Sequence, residues 1–301
     1  MKIEANGISI EVEDTGGAGE PVLLIIGLGG QLIHFPDALV AQLVSAGYRV
    51  VRFDNRDAGL SQHFPEAGVP NVLVNTLRWW ARLPVKTPYT LCDMAGDALG
   101  VLDALGLARA HVLGVSMGGM IAQRLALAAP ERCATLTSIM SSSGARGLPG
   151  PRAKVLRTMG AKPRGHSAEA VMRYYLDFFH AVNGPAFPLN DAALRAMVER
   201  TLARHYDPAG NLRQMAAVMA DASRPRELAR LRCPTLVLHG DADPFVPMAC
   251  GRDTARRISG ARFVAVPGGG HDVTPEAFAA YAQSWLPFLR EHPIRSAAAA
   301  H

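Results

Sequence analysis

The stretch Gly114-Val115-Ser116-Met117-Gly118-Gly119 constrains this chain more than any other. The apolar run Ala110-His111-Val112-Leu113 precedes it, and a helix-like run from Met120 to Ala128 follows. The pattern is strand, tight turn, helix, with a serine at the apex. Glycines two before and two after Ser116 let strand and helix pack closely around a strained residue. The turn lifts the hydroxyl clear of the sheet edge and aims a helix N-terminus at it. Glycine and serine are common, so G-x-S-x-G alone says little. Between a strand and a helix it points to a serine nucleophile.

The chain has 301 residues, 49% hydrophobic and 19% charged. That is enough for a large buried core. The net charge of +5 comes mostly from arginine, because lysine stands only at positions 2, 86, 154 and 162. The arginines are scattered, and no basic run suggests a nucleic-acid partner. Cys92, Cys133, Cys233 and Cys250 show no C-x-x-C spacing. They read as buried small hydrophobes, with neither a disulfide framework nor a metal site. The N-terminus lacks a basic-then-apolar signal pattern, and Val22 to Ile26 is far too short to cross a bilayer. A soluble cytoplasmic protein with no membrane partner is expected.

Ile3 to Ala5 and Ile8 to Glu13 alternate about Asn6-Gly7, a hairpin signal. Pro21 to Ile26, Tyr48 to Phe53, Thr135 to Met140, Pro234 to His239 and Arg262 to Val266 read as strands. Helices are expected at Pro36 to Ala46, from a capping box at Thr90-Leu91-Cys92-Asp93 to about Leu105, at Met248 to Ile258 and at Pro275 to Arg290. Strands alternating with helices imply a mostly parallel α/β sheet covered on both faces. Residues 145–228 break this alternation with helical periodicity and no convincing strand. They read as a helical cap, or lid, inserted between late strands, with 1–144 and 229–301 as the core. The tail Ser296 to His301 is expected to fray. Thr76 to Leu83 reads as a short amphipathic helix, whose adjacent Trp79 and Trp80 cannot share a face. They pack on the core or line the substrate entrance.

A serine hydroxyl needs a base to take its proton, and that base needs an acid to fix its tautomer. On this architecture the order is serine, acid, histidine. Asp241 and Asp243 both follow the strand ending at His239. Asp243 lies further into the loop, where it can reach across, and is the expected acid, with Asp241 capping the loop. His271, in the loop Pro267-Gly268-Gly269-Gly270-His271-Asp272, is the expected base, and His239 reads as a packed histidine. An oxyanion hole should take one N–H from Met117 and one from Leu28, in the loop Gly27-Leu28-Gly29-Gly30. Gly29 would let substrate approach closely. In the cap, Tyr175, Phe179, Met215 and Met219 are candidate substrate contacts, and each also suits the cap's own core. No other histidine has a motif around it.

Ser116, Asp243 and His271, with Gly27-Leu28-Gly29-Gly30, make the chain resemble the α/β-hydrolase superfamily over nearly its whole length. Asp54-Asn55-Arg56-Asp57-Ala58-Gly59-Leu60-Ser61 resembles that family's D-x-R-G-x-G-x-S loop, with Asp57 where glycine is usual. Ile26-Gly27 stands where His-Gly is common. Both departures resemble the branch containing the aclacinomycin methylesterases. The resemblance implies a cofactor-free serine esterase acting on a small-molecule ester or lactone, bulky or apolar. A serine nucleophile argues against the dehalogenases and epoxide hydrolases, which use aspartate there. The same triad could instead cleave a carbon–carbon bond or perform perhydrolysis. A binding receptor on this scaffold would need no base. Oligomeric state is not legible.

Overall fold

A computed structural model describes residues 1–161 and 167–294; the tail Ser296 to His301 lies outside them. The chain opens with a hairpin, β1 (Lys2–Ala5) and β2 (Ile8–Asp14). Asn6 and Gly7 both have positive φ, 54° and 75°, as a tight two-residue turn between twisted strands requires. Then come β3 (Glu20–Ile25), α1 (Asp37–Ser45), β4 (Tyr48–Phe53), α2 (Val72–Trp80) and α3 (Leu91–Ala104). The Thr90 capping box forms, with Asp93 N donating to Thr90 Oγ1 and Thr90 N to the Asp93 carboxylate. The nucleophile segment follows as β5 (Ala110–Val115) and α4 (Met117–Ala128), then β6 (Cys133–Ile139).

Among the described residues, five α-helices separate β6 from the next strand: α5 (Ala153–Gly160), α6 (Ala168–Val182), α7 (Asp191–Arg204), α8 (Pro208–Ala220) and α9 (Arg224–Glu227). No strand occurs there among the described residues. The chain closes with β7 (Thr235–Gly240), α10 (Met248–Arg257), β8 (Arg262–Val266) and α11 (Pro275–Glu291). The eight strands lie in the order β1-β2-β4-β3-β5-β6-β7-β8. β1–β2 and β2–β4 are antiparallel, and every later pair is parallel. The order reverses at β3, and the parallel strands bring their C-terminal ends to one edge.

The alternation along β3 shows how the sheet is sandwiched. Leu23 and Ile25 pack with α3 and α4, whereas Val22 and Leu24 pack with α1 and α11. Trp285, Tyr281 and Phe278 of α11 are almost wholly buried on that second side. No helix among the described residues is long and apolar enough to cross a membrane.

Two expectations change. Only Cys133 and Cys250 are buried; Cys92 is exposed and Cys233 half-buried, and all four are free thiols. Cys92 sits in the first turn of α3, on its outer face. Trp80 neither packs on the core nor is enclosed: it is 73% exposed. Trp79 is half-buried, with the Arg146 guanidinium 4.8 Å from its ring centre.

Candidate active site

Ser116 joins β5 to α4 with φ 56° and ψ −120°, a conformation an L-residue rarely holds. Its N–H donates to Ile139 O at 2.9 Å. The flanking glycines are required by space. A Cβ on Gly114 would stand 2.1 Å from Gly118 O, and one on Gly118 would stand 2.0 Å from Ile25 O. The helix can cross the strand only where both residues lack a side chain.

His271 Nε2 lies 3.0 Å from Ser116 Oγ, and its Nδ1 lies 2.7 Å from Asp243 Oδ2. A carboxylate has no proton to give, so Nδ1 carries the hydrogen and Nε2 accepts from the hydroxyl. Asp243 Oδ1 accepts from the N–H groups of Phe245 and Val246, both at 2.8 Å. Burial alone would raise the Asp243 pKa. The imidazoles of His271 and His239 beside it outweigh that burial and hold the carboxyl far below the ordinary range. Asp241 is exposed and accepts from Gly268 N, so it braces its loop. His239 donates from Nε2 to Val246 O at 2.7 Å and packs under the acid's loop.

Among the described residues, the N–H groups of Met117 and Leu28 donate to no protein acceptor. Gly27 brings their two loops together: a Cβ there would meet Ser116 Cβ at 3.0 Å. Gly29 is not open to substrate, contrary to expectation. Its N–H donates to Gln214 Oε1 at 2.8 Å, and a Cβ on it would stand 2.7 Å from Asn211 Oδ1. Helix α8 fills that space.

Several residues that hold the site were not legible from motifs. Gln214 is fully buried, and its Nε2 also donates to Arg56 O at 2.7 Å, so one amide clamps the Gly27–Gly30 loop to the loop after β4. His271 N donates to Val182 O at the end of α6, and Asp272 accepts from Gly184 N and Gly270 N. Burial raises the Asp272 pKa above its ordinary value. Asn55 donates to Ile26 O, just before Gly27. Asp57, where the resembled loop usually has glycine, receives Arg213 of α8 on both oxygens at 2.8 and 2.7 Å, and Tyr89 Oη at 2.7 Å.

Of the proposed substrate contacts, Phe179 and Tyr175 pack beside Met172, Leu194 and Val198, the helical insert's own core. Phe179 faces that core because it lies one position, about 100°, round α6 from Phe178. Phe178 instead packs edge-on against Phe245, whose ring is 4.9 Å from the His271 ring. Met215 and Met219 are half-buried on α8. One trio of potential metal ligands, His63, His205 and Asp207, occurs among the described residues. Arg213 Nη2 lies 3.0 Å from the Asp207 oxygen that faces His63, and its charge opposes a cation there.

A family model described as the alpha/beta hydrolase fold matches residues 20–277. The chain belongs to that family. A rhodomycin D methylesterase, DauP, from Streptomyces sp. (strain C5) is 31% identical over 94% of this chain and 91% of its own length. A 2-hydroxy-6-oxononadienedioate/2-hydroxy-6-oxononatrienedioate hydrolase from Cupriavidus pinatubonensis is 29% identical over 80% of this chain and 77% of its own. Among solved structures, the enol-lactonase of Burkholderia xenovorans LB400 superposes with a TM-score of 0.71 at 24% identity, covering 96% of this chain and 100% of that one, a likeness of fold.

Proposed function

We propose that the protein is a carboxylic-ester hydrolase working through an acyl-enzyme on Ser116. The observation that carries this reading is the unbroken chain from Ser116 Oγ through His271 to Asp243, beside two undirected backbone N–H groups. In the proposed cycle, Ser116 Oγ attacks the ester carbonyl while its proton passes to His271 Nε2. The N–H groups of Leu28 and Met117 receive the developing oxyanion, helped by the N-terminus of α4. The imidazolium, held by Asp243, then protonates the leaving alcohol. His271 next takes a proton from water as its oxygen attacks the acyl-enzyme; the acyl–Oγ bond then breaks, the proton passes from His271 to Ser116 Oγ, and the acid is released.

Residues 145–228 are proposed to act as a cap over the sheet's C-terminal edge, with core segments 1–144 and 229–301 beneath. Met215 and Met219, with flexible side chains, are the proposed contacts for a bulky or apolar acyl group. Similarity to a methylesterase supports an ester of a small alcohol. The similar hydrolase from Cupriavidus supports a second reading, carbon–carbon bond hydrolysis with the same three residues. An activity screen over methyl esters, aryl esters and lactones tests the assignment, with Ser116→Ala as control. Ester turnover should fall by about 10⁴–10⁶-fold in that variant. A variant keeping a tenth of the activity would remove Ser116 as nucleophile.

A further inference from the structure

Helix α2 is apolar on its outer face as well as its inner one, where Val72 and Trp79 are half-buried. Its inward residue Asn75 is polar and 2% exposed, with its amide bonded in both directions to the backbone of Lys86. Its outward stripe is apolar: Leu73, Leu77 and Trp80, at i, i+4 and i+7, are 70%, 62% and 73% exposed. Val74 on the same helix is 45% exposed, and Val69 and Leu83, just before and after it in the chain, are 60% and 52% exposed. These six make up the majority of the eleven large apolar side chains exposed among the described residues. Scattered apolar residues are ordinary on a surface, whereas a contiguous patch marks a partner.

The charge around the patch says which partner. Between Ala67 and Cys92 there is no acidic residue, while Arg78, Arg82 and Lys86 all lie there. Arg146 closes one side, donating to Trp79 O. None of the four pairs with a carboxylate among the described residues. A second copy docked on the same face would oppose these cations to their own images. A Trp- and Leu-bearing face ringed by unpaired Arg and Lys instead suits the boundary between acyl chains and anionic headgroups. We propose that α2 is an interfacial helix by which the protein binds anionic lipid surfaces reversibly. The expectation of no membrane partner rested on the lack of a spanning segment, which surface binding does not need. α2 packs against α8, the helix that carries Met215 and Met219, so docking sets the bilayer beside the proposed cap. The inference stands whether or not the bound substrate is an ester.

Co-sedimentation with vesicles tests it, comparing phosphatidylglycerol/phosphatidylcholine mixtures with phosphatidylcholine alone. The wild type should partition onto the anionic vesicles with a blue-shifted tryptophan emission. Trp80→Phe should keep the binding and lose most of that shift. Leu77→Glu/Trp80→Glu should bind at least about tenfold more weakly, while hydrolysing a small soluble ester at the wild-type rate. Arg82→Ala and Lys86→Ala, at exposed positions that do not threaten folding, should each weaken binding by about fivefold. A wild type that stays off anionic vesicles at millimolar lipid would overturn the proposal, as would wild-type binding by Leu77→Glu/Trp80→Glu, Arg82→Ala and Lys86→Ala. A concentration-dependent dimer abolished by Leu77→Glu/Trp80→Glu, without vesicle binding, would assign the patch to a second copy and overturn it too.

Discussion

Ser116 keeps its left-handed backbone because its surroundings leave no alternative: β6 holds its N–H, and two glycines let α4 cross at contact distance. Strain of this kind persists only where packing over-determines it. The two candidate acids divide as the loop geometry requires. The Asp243 carboxylate is buried, bonded to His271 and to two backbone N–H groups, whereas that of Asp241 is exposed and, among the described residues, accepts only from Gly268 N. Asp243→Asn should therefore lower kcat by on the order of 10⁴-fold, because an amide favours the wrong imidazole tautomer. Asp241→Asn should stay within about threefold of wild type, since losing one exposed loop bond costs only about 1 kcal/mol. Steady-state kinetics on one activated ester decides it, and an inactive Asp241→Asn would reverse the assignment.

Helix α8 does at the scale of an element what no motif predicts. One face gives Arg213 to Asp57 and Gln214 to the Gly27–Gly30 loop; Met215 and Met219 remain half-buried. Gln214→Leu leaves Gly29 N–H and Arg56 O unpaired, which loosens the loop that positions Leu28. It should lower kcat by about 10–10²-fold with KM nearly unchanged, a fraction of the loss for removing an oxyanion donor outright. Activity that merely followed the folded fraction would make Gln214 structural only. Phe178→Ala and Met215→Ala should change the ranking of ester substrates more than turnover of the smallest ester. If every ester lost activity equally, in step with Tm, the specificity claim would fail. The nucleophile turn, the capping box and the acid and base loops were legible because local geometry demands particular residues at fixed offsets. Gln214, Asp272 and the Phe178–Phe245 contact were not, because each acts across more than 65 residues on partners that only the tertiary fold brings near. Which of its two offered roles Phe179 takes was not legible for a related reason; it packs beside the insert's own core. In an aromatic pair on one helix, periodicity says that the two faces differ, not which face meets the core.

Across the whole molecule the helical insert is fastened to the sheet's C-terminal edge by buried polar ties, among them Asp54–Arg204, Asp57–Arg213 and Asp272 with Gly184 N. Beneath this joint lies His34, bonded to Thr201 Oγ1, its pKa pushed down to about 4 by burial and by the charges of Arg200 and Arg204. The neutral ring is the folded form, so the unfolded chain takes up a proton first as pH falls. Stability should thus decline between about pH 6.5 and 4, by up to about 3 kcal/mol from this group. Equilibrium unfolding at several pH values checks it: His34→Gln should flatten the slope in that window, and an unchanged slope would contradict it. The proposed function turns on Ser116 acting as a nucleophile activated by His271. The most direct measurement is the intact mass of the protein, and the mapped peptide, after treatment with a fluorophosphonate. A single adduct is expected on Ser116, formed by the wild type and absent from Ser116→Ala, with labelling much slower in His271→Ala. An unlabelled wild type, or an adduct that persists in Ser116→Ala, would contradict it.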